Sequence, residues 1–183
     1  MVSVLEQWRR VKAPFKLRSV EIRRASDPDW PALWPIWQSI VSAQETYMFD
    51  PFTAPEAARR MWLADPPAET WVATAGAAIV GTYQLKPNGK GPGAHVANAG
   101  FMVAPAARNQ GVGRLLAEHC MRRAREAGYL SMQFNAVVST NTGAIALWRS
   151  LGFEIVGTVP QAYRHRTAGL VDIHVMWKAL TQL

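Results

Sequence analysis

The sequence has one cysteine, Cys120, among its 183 residues. An internal disulfide is therefore excluded, and with nothing to mark an oxidising compartment a cytoplasmic protein is expected. No run approaches the roughly 18 to 20 apolar residues that cross a bilayer, and the opening stretch, with Glu6, Arg9, Arg10 and Lys12, lacks the apolar stretch of a secretory signal. Neither a membrane protein nor an exported one is expected. Histidine is scarce: His95, His119, His165 and His174 take no zinc-like spacing with one another or with Cys120, so no metal is expected. Internal repeats and low-complexity tracts are missing. Acidic residues are in deficit, 13 Asp and Glu against 20 Lys and Arg, for a net charge of +7. That balance favours an anionic partner such as a nucleotide, a nucleic acid or an acidic surface. The basic residues are not interleaved with aromatics as in a nucleic-acid module, so nucleic acid is not the expected partner.

What is present is apolar bulk. Hydrophobic residues make up 49% of the chain and include eight Trp, enough to build one core without metals or disulfides. Residues 1–17 read as an N-terminal extension, with Val4, Leu5, Trp8, Val11 and Phe15 at three- and four-residue steps. Residues 18–183 read as a single domain. A strand is expected over 19–25, then a helix over 30–43 in which Pro35 shortens or bends the first turn. A second helix is expected over 55–64, and between the two lies an aromatic and acidic connection containing Glu45, Tyr47, Phe49 and Asp50. A hairpin over 70–85 turns at Ala75-Gly76, a loop covers 86–93, and a further strand is expected over 95–103.

From Phe101 to Leu116 the pattern is strand, short loop, helix, with Arg108, Asn109, Gln110, Gly111, Val112, Gly113 and Arg114 at the join. Two glycines where a helix begins let backbone N–H groups approach a phosphate, and the helix dipole favours its charge. The run has neither the Gly-x-Gly-x-x-Gly of a dinucleotide turn nor the Gly-Lys-Ser/Thr ending of a P-loop. After a strand over 130–138 comes Asn141-Thr142-Gly143-Ala144-Ile145-Ala146-Leu147-Trp148, continuing to Gly152-Phe153 on helical spacing.

Together these two segments resemble the GNAT (Gcn5-related) N-acetyltransferase superfamily, whose Arg/Gln-x-x-Gly-x-Gly/Ala signature is followed by Asn-x-x-Ala-x-x-Leu-Tyr-x-x-x-Gly-Phe. The resemblance implies an α+β fold: a mixed, twisted and splayed β-sheet flanked by helices, with acetyl-CoA in the cleft. It also implies that the backbone at Met102 and Val103 pairs with the pantetheine arm, and that amides from Arg108 to Arg114 hold the pyrophosphate. Asn141 and Ala144 would line the far side of the channel, with Trp148 beside the cofactor. The segment Gln133-Phe134-Asn135-Ala136-Val137-Val138, with Thr140-Asn141 and Leu170-Val171-Asp172, further resembles the branch that acetylates L-azetidine-2-carboxylate and related proline analogues.

Acetyl transfer from a thioester needs a neutral amine, a donor for the developing oxyanion and a proton for the thiolate. Family members often place Tyr where this chain has Trp148, and an indole N–H is no acid near neutral pH. The expected strand near Asn98 also lacks a carboxylate base. His95, Asn98 and Asn135 are the polar candidates there, and of these only His95 titrates in the useful range. Glu45 and Tyr47 are the candidates for closing the acceptor pocket. The expected activity is acetyl-CoA-dependent acetylation of a small primary or secondary amine, an amino acid or analogue, by direct attack. The alternatives are a protein or peptide N-acetyltransferase and a non-catalytic acyl-CoA-binding regulatory module. A homodimer is expected from free strand edges and the aromatic arm.

Overall fold

The computed structural model describes residues 17–180; residues 1–16, most of the N-terminal extension, lie outside them. Seven strands form one sheet: β1 (Val20–Arg24), β2 (Glu69–Ala75), β3 (Ala78–Pro87), β4 (Val96–Val103), β5 (Ser131–Val138), β6 (Glu154–His165) and β7 (Gly169–Ala179). Their spatial order is β1-β2-β3-β4-β5-β7-β6. Every pairing is antiparallel except β4 with β5. Four α-helices complete the described fold: α1 (Trp30–Ser42), α2 (Pro55–Trp62), α3 (Val112–Glu126) and α4 (Thr142–Ser150). This is the mixed, splayed α+β sheet that the resemblance implied.

The α1 helix forms because Trp30, Leu33, Ile36, Trp37, Ile40 and Val41 fall on one face and are all buried. Burying each such side chain contributes about 2–3 kcal/mol, which outweighs the loss of one amide at Pro35. The shortening expected at Pro35 therefore does not occur, and the helix runs from Trp30 through to Ser42. Asp29, at its N-terminus, receives the Ser26 backbone N–H at 2.8 Å and a two-pronged Arg23 guanidinium at 2.7 and 2.8 Å. That partnership lowers the Asp29 carboxyl to about 2.

The α3 helix lies on β3 and β4 through Val112, Leu116, Cys120 and Ala124. Its approach is so close that a Cβ on Gly81 of β3 would sit 2.9 Å from Leu116 and 3.1 Å from Val112. Cys120 is fully buried, and burial pushes its thiol up, as suits a small core residue. The hairpin turns at Gly76, whose φ of +59° is in the left-handed region. Beyond it β3 runs on to Pro87, two residues past the expected end.

One topological feature positions the site. The strands β4 and β5 are paired only at Val96 with Ser131 and Ala97 with Met132. Past those residues they diverge, and the gap between them becomes a cleft.

Candidate active site

The β4 side of the gap is an unpaired strand edge, and its parity can be read from two hydrogen bonds. Ala104 N–H donates to the Val80 carbonyl and Asn88 N–H donates to the Val96 carbonyl, so the even-numbered residues of β4 turn their backbone groups toward β3. Backbone direction alternates along a strand, which turns the amides of Phe101 and Val103 toward the gap. Met102 is thereby corrected: its backbone belongs to the β3 ladder opposite Thr82, and its side chain is core, 1% exposed. Val103 lines the cleft with its amide turned toward the gap. The Phe101 carbonyl accepts the Tyr47 hydroxyl at 2.9 Å.

At the wide end of the gap α3 begins. Asn109 and Gly111 both adopt positive φ, +60° and +83°, and this double reversal aims the first turn of the helix into the cleft. The first intrahelical bond runs from Leu115 N–H to the Gly111 carbonyl, so the amides of Val112, Gly113 and Arg114 have no helical acceptor. Gly113 lines the cleft, and a Cβ there would reach ordinary contact with Leu147 at 3.6 Å and Val103 at 3.8 Å, so the missing side chain keeps the space between those two residues open. Arg108, Asn109, Gly111, Gly113 and Arg114 line the cleft. Gln110 and Val112 do not. The Gln110 amide turns back onto the Ala106 carbonyl at 2.8 Å, and Val112 packs in the core, so either would serve a phosphate only through its backbone. Arg114 is held by Ser150 Oγ at 2.7 Å and by Glu118 at 3.6 Å, while Arg108 is exposed at the mouth.

The opposite wall is α4. Asn141 caps this helix, its Oδ1 accepting the Ala144 N–H at 3.3 Å. Asn141, Ala144, Leu147 and Trp148 all face the cleft. Trp148 is wedged among Phe101, Phe134 and Phe153, with ring centroids 5.0, 4.7 and 5.9 Å away. An unpaired amide edge, a glycine-cleared helix start and a second helix wall give donors and space for a pyrophosphate-bearing thioester.

The acceptor end is made differently. The connection between α1 and α2 is fixed by stacked rings, Trp37 on Phe49 at 5.6 Å and Phe49 on Tyr47 at 5.3 Å. It is also pinned to the β6–β7 hairpin, with Tyr163 Oη donating to the Tyr47 carbonyl at 3.2 Å and Arg166 N–H to the Gln44 carbonyl at 3.2 Å. Burial pushes the Tyr47 hydroxyl well above the ordinary phenol range, so it stays protonated. Glu45 is exposed and is the cleft's one carboxylate among the described residues. Its charge, after burial, helps push the Tyr163 hydroxyl up.

Asn98 and Asn135 both line the cleft and are joined through Asn88, a residue of the expected 86–93 loop that also lines it. His95 is not brought to the cleft. It lies one residue before β4, exposed, with its ring Nδ1 2.9 Å from the Pro92 carbonyl, because the strand starts where the sheet is still closed. Lys86 and Gln84 also line the acceptor end and were missed. The available signal was the alternation of Thr82, Gln84 and Lys86 along an otherwise apolar strand.

The model of the acetyltransferase (GNAT) family matches residues 30–153. The chain belongs to that family. The matched GNAT segment runs from the start of α1 to Phe153 and so contains both walls of the cleft. A GCN5-related N-acetyltransferase structure from Kribbella flavida is 48% identical, superposes with a TM-score of 0.85, and covers 88% of this chain and 98% of that one. The ribosomal-protein-alanine N-acetyltransferase from Brucella melitensis is 28% identical with a TM-score of 0.78, over 87% of this chain and 99% of its own. The N-acetyltransferase aca1 of Schizosaccharomyces pombe is 37% identical over 98 residues, which is 53% of this chain and 47% of that protein. The match thus spans about half the length of that relative. GNAT members use acetyl-CoA as the acyl donor, and the donors and clearance around Gly113 fit it. Among the described residues no cluster of His, Cys, Asp or Glu could hold a metal, and no helix is long and apolar enough to cross a membrane.

Proposed function

We propose that this chain transfers acetyl from acetyl-CoA to a small primary or secondary amine, an amino acid or close analogue, by direct attack. The observation that carries this reading is a single cleft of about 1020 Å³ whose two ends differ. One end presents backbone amides and arginines suited to phosphates. The other presents amides, Lys86 and Glu45, and is roofed by a pinned loop.

Acetyl-CoA supplies the thioester acyl group, so that an N–C bond replaces the C–S bond and the free thiol is released. The residues of this chain do the positioning. Val112, Gly113 and Arg114 amides, with Arg108, hold phosphate charge. The gap-facing amides of Phe101 and Val103 are the donors available to a carbonyl oxygen. Glu45 draws an ammonium toward the acceptor end. Asn98 and Asn135 orient the acceptor but cannot take its proton, which passes to solvent, and Trp148 packs without acting as an acid. Compact secondary amines of the proline-analogue kind rank first as acceptors. The β5 segment that resembles that branch bulges at Asn135-Ala136, and Asn135 lines the cleft beside Lys86 and Asn98, which supports this ranking.

A second reading, a peptide or protein amine, has its own support. Met48 and Phe52, 55% and 90% exposed on the connection between α1 and α2, would offer apolar contacts beyond a small amine, and the Brucella relative is named for a ribosomal protein. The expected homodimer would use the outer edge at β6, where Val156 and Val159 are exposed.

The test is acetyl-CoA-dependent thiol release with L-azetidine-2-carboxylate, proline, methionine sulfoximine, polyamines and short peptides, with product mass confirmed. Turnover of one compact amine is expected. Turnover of peptides alone moves the reading to a protein acceptor, and binding of acetyl-CoA without turnover of any amine makes the chain a non-catalytic sensor.

A further inference from the structure

Four side-chain amides, those of Asn88, Asn98, Gln133 and Asn135, meet where β4 and β5 part, and one backbone oxygen fixes the orientation of all of them. The Gln133 carbonyl can only accept, so the Asn98 atom 3.0 Å from it is Nδ2. The second hydrogen of that nitrogen points to Asn88 at 3.2 Å, so the Asn88 atom is Oδ1. Asn135 approaches the same oxygen at 2.7 Å and must present its own Nδ2. Its Oδ1 then accepts Gln133 Nε2 at 2.8 Å. Flipping any one amide sets like against like at its neighbour, so the orientation fixed at the Gln133 carbonyl carries through all four.

Backbone geometry explains why the cluster stands here. Asn98 and Gln133 are the first residues past the last paired positions, Ala97 and Met132. The Asn98 side chain takes the place of the next ladder bond and closes the narrow end of the gap.

The inventory of unused atoms has a chemical meaning. Both Asn98 Nδ2 hydrogens are occupied, leaving Oδ1 as its free atom, an acceptor only. Asn88 Oδ1 already receives two amides, leaving Nδ2, a donor only. Lys86 stands directly opposite Asn98 in the β3–β4 register and adds a cation on the same face.

Building on the proposed amine acetylation, we infer that Asn88 is a positioning residue: together with the Gln133 carbonyl it engages both Nδ2 hydrogens of Asn98 and so keeps Asn98 Oδ1 toward the substrate, where that oxygen accepts an N–H of the amine. The lone pair of that nitrogen is thereby left for attack. The same arrangement selects the substrate class. Asn88 Nδ2 and the Lys86 ammonium are donors for an oxygen carried beside the amine, so the favoured acceptor is an α-amino or α-imino acid bearing a free carboxylate.

Two variants and one spectrum test this. Asn88→Ala removes the shared oxygen and leaves Asn98 held by the Gln133 carbonyl alone, so its side chain is less firmly placed. The acceptor KM is expected to rise about tenfold or more and kcat to fall, while acetyl-CoA affinity stays within about twofold. Asn88→Asp keeps an oxygen for both amides but loses the donor. It is expected to restore kcat while keeping KM high for amines that bear a carboxylate, with little change for the matching carboxamides. Equal losses in acetyl-CoA affinity and acceptor KM, or two variants that treat carboxylate and carboxamide amines alike, would overturn the assignment. In the wild-type protein both Asn98 side-chain NH₂ resonances should be slow to exchange, and in Asn88→Ala the one released from Asn88 should become faster while the one on the Gln133 carbonyl stays slow. That spectrum needs no turnover, so an inactive wild type would sink the acetylation reading while the amide orientation was still decided; fast exchange in the wild type would sink the orientation itself.

Discussion

The two ends of the cleft are made of different material. At the phosphate end the functional groups are backbone amides, and side chains matter mainly where they are missing, as at Gly111 and Gly113. At the acceptor end the functional groups are side chains delivered by separate segments: Glu45 and Tyr47 from a loop, Lys86 from the end of β3 and Asn88 just past it, Asn98 from β4 and Asn135 from β5. A phosphate is the same in every acyl-CoA, so a fixed main-chain cradle serves it. An acceptor amine varies, and side chains can be exchanged without rebuilding the strands that carry them.

The largest expected effect breaks the phosphate end alone. Gly113→Trp fills the clear space at the start of α3 and should weaken acetyl-CoA binding at least 100-fold, measured by titration calorimetry, while thermal unfolding stays within a few degrees of wild type. Retained affinity would misplace the cradle.

Next in size is a separate anchor of the acceptor end, since α1 leads into the loop that carries Glu45 and Tyr47. The Asp29 carboxyl is depressed to about 2 by Arg23 and by the Ser26 amide. A group depressed on folding stabilises above its unfolded value, near 3.8, and that contribution is lost as pH falls through about 2. Because Arg23 is half exposed, the contribution is on the order of 1–2 kcal/mol. Chemical denaturation of wild type and Asp29→Asn should differ by that amount at pH 6 and converge near pH 2. A constant gap would exclude the ionised partnership.

The smallest effects sharpen the phosphate end. Arg108→Ala and Arg114→Ala should each weaken acetyl-CoA about fivefold in low salt and less in 0.5 M salt, by the same titration, without altering the acceptor KM. Arg114→Ala should be the milder, because Ser150 and Glu118 already engage its guanidinium.

This contrast also explains what was legible in the sequence. The phosphate end needs glycines at fixed distances from a helix start, and Arg108 to Arg114 followed by Asn141 to Phe153 displays that need in one dimension. Most helices and strands were visible for a similar reason, because their apolar periods match the faces they bury; Pro35 misled only because α1 buries enough side chains to override it. The acceptor end was legible in part. Asn98 and Asn135 were visible as polar residues on apolar strands, but Asn88 lies in a segment rich in glycine and proline, where Asn is ordinary turn chemistry. His95 was misplaced because the sequence does not show where β4 and β5 part, and His95 lies before Val96 and Ala97, where the two strands are still paired. Met102 failed for want of parity: both faces of β4 are apolar, and only the hydrogen bonds of Ala104 and Asn88 to β3 reveal which backbone groups face the gap.

The division of labour between the two ends is tested most directly by amide NMR of the protein titrated first with acetyl-CoA and then with an acceptor amine. The account predicts that acetyl-CoA shifts the backbone amides of Phe101, Val103 and Val112 to Arg114 and leaves the side-chain amides of Asn88, Asn98 and Asn135 in place until the amine is added. If acetyl-CoA alone rearranged those three side chains, or if the backbone amides at the start of α3 did not respond to it, the separation of the cleft into a backbone end and a side-chain end would be contradicted.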